Sequence, residues 1–144
     1  MRKIRNFTLA ALLAVSFVLA GCAAEPEWKP ELPMTVLAET GGVTLLFELP
    51  AEGDATVTAQ APEALAGVTF SLGESPKAAL GDWAMNLPPS ACRLYAAVAD
   101  SLRTAEHIAD RGEDGAPTAL SLTLDGVRHD IHILTITVKG APEN

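Results

Sequence analysis

The 144-residue chain has few residues of the kinds that several common functions require. It contains ten basic residues against eighteen acidic ones, three histidines and two cysteines. The shortage of positive charge argues against nucleic-acid binding and against docking on anionic lipid through basic side chains. The sequence has no glycine-rich loop of the kind that binds phosphates. Its longest apolar run, Leu9–Ala20, is shorter than the roughly 20 residues that a membrane-spanning helix requires.

The N-terminal segment has three distinct parts. The first five positions hold three basic residues and no acidic one, residues 9–20 are almost wholly apolar, and the small pair Ala20-Gly21 precedes Cys22. A positive start, a short apolar core and small residues at its end are typical of a secretory signal. The pattern therefore predicts that the chain is exported, with a plain transmembrane anchor or a fortuitous cysteine as the alternatives.

The run Leu19-Ala20-Gly21-Cys22 also resembles the lipobox of bacterial lipoproteins. The resemblance implies that residues 1–21 are a signal peptide removed between Gly21 and Cys22. It also implies a diacylglycerol on the Cys22 thiol, with acyl chains such as palmitate. Two or more chains anchor a protein stably, since each buried methylene contributes about 0.8 kcal/mol. The expected location is extracytoplasmic, at the outer face of the plasma membrane or at the outer membrane if the cell has one.

Loss of the 21 signal residues would leave 123 residues, the size of one domain. Seven basic and eighteen acidic residues would remain, which gives a net charge of −11. With Cys22 acylated, Cys92 has no cysteine partner in the chain. Three interpretations of Cys92 stay open: a small buried apolar residue, a member of an intermolecular disulfide, and a reactive nucleophile.

Composition divides the mature chain into a tether, a body and a tail. Residues 22–33 contain three prolines spaced by acidic residues, which predicts a stiff, extended tether roughly 34 Å long. Trp28 lies within it, either at the lipid interface or folded back onto the body. Residues 34–139 are expected to form a single domain, and residues 140–144 a disordered tail.

Alternating apolar and polar residues predict antiparallel hairpins in the first half of the body. The alternation continues on both sides of Gly41-Gly42, and a two-residue turn there places Val36 opposite Phe47. A further short hairpin is predicted around Gly81-Asp82.

The second half of the body contains the strongest turn dipeptide of the chain, Asp125-Gly126. A hairpin at this turn places Leu122 opposite His129. Further along, the apolar residues switch from odd to even positions. A slip of one residue would turn the whole apolar face outwards, so we expect a β-bulge near Ile133-Leu134.

One helix is predicted after Pro88-Pro89, from residue 90 to about 105, with Ser90 as its N-cap. Residues 106–110 fit either an extension of this helix or another strand. The predicted fold class is therefore α+β: a curved antiparallel meander with one main helix packed on its apolar face.

Neither a metal site nor a catalytic site is expected. His129 and His132 are three residues apart on a strand, so they point to opposite faces and do not suit one ion. Cys92 and His107 lie too far apart on one helix to touch, and nothing supplies an orienting group or an oxyanion hole.

Apolar residues from the helix and the sheet are the candidate ligand-facing set. Two interpretations apply to them: a filled core, or a gap between sheet and helix that admits an acyl chain. The residues are Phe47, Phe70, Leu94, Tyr95, Val98 and Leu102.

The order of elements resembles that of the Lol-type lipoprotein carrier and its membrane-anchored receptor, in which a curved antiparallel sheet wraps a helix that lies between early and late strands. Residues 54–72 and the Leu120–Val127 hairpin also look like small Gram-positive lipoproteins of the same layout. The resemblance implies a half-barrel fold that binds apolar ligands.

The expected function is thus a lipid-anchored envelope lipoprotein with a non-catalytic binding domain that accommodates an acyl chain or another apolar ligand. An adaptor or structural module with a packed core is the alternative, and a thiol enzyme using Cys92 is a second one. Beyond the covalent diacylglycerol no cofactor is expected. The expected partners are the membrane and either a lipid or an envelope protein.

Overall fold

The computed structural model describes residues 27–140. The predicted signal, the lipobox with Gly21 and Cys22, and the tail from residue 141 lie outside this range. Within it the chain forms nine strands, one 3₁₀ turn and one α-helix. Their bounds are β1 Met34–Thr40, β2 Val43–Leu49, β3 Thr56–Ala61, β4 Thr69–Ser71, β5 Lys77–Leu80, β6 Trp83–Asn86, the 3₁₀ turn Pro89–Cys92, α1 Arg93–Thr104, β7 Ile108–Arg111, β8 Pro117–Leu124 and β9 Val127–Val138.

All nine strands form one antiparallel sheet in the order β6-β5-β4-β3-β2-β1-β9-β8-β7. The first six strands run as a meander from the centre of the sheet to one edge. The chain then returns through α1 to the opposite edge, where β7 begins, and works back until β9 pairs with β1. The fold is α+β and mostly sheet, as the sequence predicted, and the short helix lies on one face.

Both predicted hairpin registers are confirmed. Val36 pairs with Phe47 across the first hairpin, and Leu122 pairs with His129 across the later one. The backbone at Gly41 and Gly42 has φ of 58° and 78°, which a two-residue hairpin turn requires and which glycine adopts without steric cost. Turn geometry of this kind sets the register of both strands.

The predicted β-bulge lies on β9. Leu37 of β1 pairs with Thr135, but the next residue, Ala38, pairs with Ile133. Leu134 is therefore the extra residue, and it is exposed. The bulge lets Ile133 and Ile136 contact the same core although their positions differ in parity.

The N-terminus of the helix differs from the prediction. Ser90 does not cap it: the residue lies inside the 3₁₀ turn, and no side chain caps either that turn or α1. Pro89 occupies the first position of the turn, where its fixed φ favours a helical start, so the 3₁₀ turn begins one residue before the predicted helix and α1 follows only from Arg93. The helix ends at Ala105, whose φ of 57° is left-handed, and residues 108–111 form a strand.

The described part of the tether lies against the body. Trp28 and Leu32 pack on the hydrophobic core, so Trp28 takes the second of the two positions considered for it. The backbone N–H of Lys139 donates to the Pro33 carbonyl at 3.0 Å. Pro33 is thereby held at the end of the sheet where β1 begins.

Candidate functional site

The six candidate ligand-facing residues come together between α1 and the sheet. Phe47, Val98 and Leu102 are almost fully buried, and the other three pack against the same core. The Tyr95 ring meets Phe47 edge-on at a centroid distance of 6.3 Å and lies 5.5 Å from Phe70. These distances are typical of packed aromatic pairs. Tyr95 therefore packs on both Phe47 and Phe70, as side chains in a filled core do.

Four pockets within residues 27–140 are lined by other residues. One of about 410 Å³ lies along β7 and the loop that follows it, among Asp110, Arg111 and Glu113. A second of about 310 Å³ lies at the ends of β1–β3 beside Glu48 and Lys139. A third of about 200 Å³ adjoins the β9 bulge. The fourth, of about 140 Å³, is lined by apolar residues of β5 and β6 together with Val68.

Cys92 is buried, with 3% of its surface exposed. Burial raises the pKa of its thiol, because a thiolate is poorly stabilised away from water. Burial also raises the pKa of Tyr95, and the neighbouring Cys92 adds to this effect. Both groups are protonated at neutral pH, whereas a nucleophilic cysteine requires the thiolate.

The histidines lie where strand periodicity placed them. His129 is half-buried opposite Leu122, and His132 is exposed. Between them, the Asp130 carboxylate accepts a hydrogen bond from Arg128 Nε at 2.9 Å, and this bond lowers the pKa of Asp130. In the described part of the chain, no group of three or more His, Cys, Asp or Glu side chains is arranged to hold a metal ion.

An apolar surface at the β5–β6 end of the sheet was not predicted as a site. Strand pairing carries the buried row of Val57 and Phe70 through Ala78 to Met85 on β6. Pairing also places Leu80 opposite Trp83. The exposed fractions are 54% for Leu80, 77% for Trp83 and 54% for Met85. We call these three residues the open apolar end.

The open apolar end is a continuation of the core face beyond the reach of the helix. The helix packs mainly over β2 and β8, and Tyr95 reaches only as far as Phe70 on β4. The sequence indicated this hairpin through the Gly81-Asp82 turn, but it did not indicate that the apolar face of the two strands stays uncovered.

Comparisons with known proteins add no relatives to this description: no family model, no curated protein and no solved structure matches the chain.

Proposed function

We propose that the chain is a lipid-anchored protein of the cell envelope whose single domain acts by binding another protein rather than by catalysis. The observation that carries the proposal is the contrast within the apolar face. Its helix-covered part is filled by side chains, and its open apolar end presents Leu80, Trp83 and Met85 to solvent. Exposed apolar groups arranged together are characteristic of protein interaction sites.

The proposed location outside the cytoplasm depends on the lipobox. In this proposal Cys22 carries the diacylglycerol, and the anchored domain lies outside the cytoplasm. Among residues 27–140 no helix combines the length and the hydropathy needed to cross a bilayer. Trp28 is already packed against the body, so the chain from Cys22 to Trp28 reaches at most about 22 Å. The body would therefore stay close to the membrane surface.

The resemblance to Lol-type carriers points to a second candidate, a half-barrel that holds an acyl chain between sheet and helix. The packing of Tyr95 on Phe47 and Phe70 favours the adaptor instead, because those rings occupy the space that the chain would need. The apolar pocket at β5–β6 is about 140 Å³, less than half of the roughly 300 Å³ at which small-molecule sites begin.

Catalysis by Cys92 is the third candidate. Its burial and raised pKa favour a structural role. Thiol alkylation of the folded protein separates the two roles. A structural Cys92 reacts only after unfolding, whereas rapid alkylation of the native protein would support a nucleophile.

Labelling with a radioactive fatty acid tests whether Cys22 carries the lipid anchor. The full chain expressed in bacteria should incorporate label, and the Cys22→Ser variant should not. Cys92→Ser is the matched control, and it should keep the label. Label that persists in Cys22→Ser would refute the proposed anchor.

Native mass spectrometry of the full protein, extracted in mild detergent, tests the mode of action. An adaptor should appear as a complex of proteins, and the exposed substitution Trp83→Asp should dissociate it. A chain that carries a non-covalent lipid and no protein partner would support the acyl-chain candidate and overturn the adaptor.

A further inference from the structure

We propose that β6 pairs with β6 of a second copy of the chain, so that the sheet continues across a two-fold axis. The inference deepens the proposed adaptor function and rests on it. The occupant that the open apolar end fits best is the same surface on another molecule.

The two edges of the sheet differ in how they are protected against strand pairing. The edge strand β7, Ile108–Arg111, carries Asp110 and Arg111 and has two register irregularities against β8. Charged residues and bulges are the usual devices that prevent an edge from adding another strand. The other edge, β6, reads Trp-Ala-Met-Asn, with no charge and no proline, and its pairing with β5 is regular. All four of its residues are exposed.

A two-fold pairing centred on Ala84 matches the side chains of β6. Residues directly opposite in an antiparallel pair lie on the same face, so this register places Trp83 of one copy opposite Met85 of the other. Both residues lie on the core side of the sheet. The two Trp–Met pairs would form one apolar stripe, in which sulfur–aromatic contact is favourable. Each copy would thereby cover the open apolar end of the other.

The charges beside β6 favour the same antiparallel arrangement. Asp82 precedes β6 at one end, and Lys77 of β5 pairs with Asn86 at the other end. Neither Asp82 nor Lys77 forms an ion pair within the described residues. The two-fold axis brings Asp82 of each copy to the Asn86–Lys77 end of its neighbour. The opposite charges then lie in one cross-strand row.

The position of the open apolar end argues against the bilayer as its occupant. The chain enters the sheet at Met34, and the neighbouring Thr35 lies in the cross-strand row that leads to Lys77 and Asn86. The β5–β6 turn lies at the other end of the strands.

A basic peptide is also distinguishable from a second copy, because two acidic copies repel each other. The repulsion between two copies that each carry a net charge of −11 outweighs the two exposed Asp82–Lys77 attractions. Salt should therefore strengthen self-pairing, whereas it weakens the binding of a basic ligand.

Disulfide trapping in the full, membrane-bound chain tests the pairing. In Ala84→Cys the two new thiols face each other across the axis at the separation of opposed strand residues, which suits a disulfide. Mild oxidation should convert this variant to a covalent dimer. Ala109→Cys, an exposed alanine on the protected edge β7, is the matched control and should stay monomeric, as should the parent chain with its buried Cys92.

Two further arms make each outcome decisive. Trp83→Asp in the Ala84→Cys background should abolish the dimer, and added salt should increase the dimer yield of Ala84→Cys itself. A folded Ala84→Cys that stays monomeric, or equal trapping at residues 84 and 109, would overturn the inference. In the native mass spectra, a complex without a second copy would refute self-pairing and leave the adaptor function standing. The absence of any protein complex would refute both.

Discussion

The two ends of one sheet share a continuous apolar face but differ in how deeply that face is buried. Under α1, the apolar residues of β1, β2, β3 and β8 are almost fully buried. At the β5–β6 end, Leu80, Trp83 and Met85 on the same face are more than half exposed. Pairing register joins the two ends into a single face, so the difference in burial does not come from the side of the sheet on which the residues lie. It lies in what covers the face.

The dimensions of the elements explain the difference. A helix of twelve residues is about 18 Å long. Nine strands spaced about 4.8 Å apart make a sheet about 38 Å wide. One short helix therefore covers about half of the face, and the remainder needs another occupant or stays wet. A wide sheet with a single small cover thus creates an interaction surface from ordinary core residues.

The largest expected effect is the removal of a ring from the covered end. Phe47→Ala deletes a buried side chain that contacts Tyr95, and it should lower the free energy of unfolding by about 3–5 kcal/mol. Urea unfolding followed by circular dichroism measures the change. A loss below about 1 kcal/mol would mean that this region is loosely packed, which would revive the acyl-chain candidate.

Arg103 ties the helix to the loop between β2 and β3. Its Nη2 atom donates to the Gly53 carbonyl at 3.0 Å and lies 3.5 Å from the Pro50 carbonyl. Arg103→Met keeps the apolar stem and removes these bonds, so the free energy of unfolding should fall by about 1–2 kcal/mol.

Arg93 on the same helix is the matched control for Arg103. Its 2.8 Å ion pair with Asp125 is largely exposed, and Arg93→Met should cost about 0.5 kcal/mol. Equal losses in urea unfolding for the two variants would show that the bonds of Arg103 do not hold the covered end together.

Tyr95 and Cys92 lie at the boundary between the covered and the open end, and their burial should make the free energy of unfolding fall at alkaline pH. Burial raises the pKa of Tyr95 and of Cys92 above their ordinary values of 10.0 and 9.0, so the folded state keeps both protons to higher pH than the unfolded chain. Their stabilising contribution is complete below about pH 9 and is lost as the pH rises further.

Tyr95→Phe tests the assignment of this alkaline loss, because it keeps the ring and removes the ionisable hydroxyl. It should match the parent protein in urea unfolding at neutral pH and lose less stability above about pH 10. An identical alkaline loss in parent and variant would assign the effect to other groups.

The smallest expected effect is at the open end. Trp83→Ser removes a side chain that is 77% exposed, and in dilute monomeric protein it should change the free energy of unfolding by less than about 0.5 kcal/mol. A loss that approaches that of Phe47→Ala would contradict the division of the sheet into a covered and an open end.

Local rules were enough for much of the fold. The Gly41-Gly42 and Asp125-Gly126 turns set their registers through a few backbone angles, and the β9 bulge follows from the parity of apolar residues on both of its sides. The sequence left three interpretations of Cys92 open, one of them a small buried apolar residue. The structure shows that Cys92 is buried, which describes its surroundings but does not assign its role. The helix start was wrong because two successive prolines acted earlier than the expected Ser90 cap.

The candidate site was less accessible from the sequence. The six apolar residues were chosen as one set, and the structure brings them together, but a filled core and a ligand gap have the same pattern. Trp83 and Met85 carry no local mark of exposure, because large apolar side chains are usually buried at least in part. Whether these two side chains are buried or exposed depends on which other element packs above them.

Alternation and turn residues therefore determined the strands and their registers, since each acts over a few neighbouring positions. Composition determined the acidic net charge, since charge is a sum over the residues. Only the assembled sheet decided that Trp28 folds back, that β6 and β7 are the edges, and that α1 stops short of β5 and β6. These outcomes depend on distances between segments remote in the chain, and no local pattern encodes such distances.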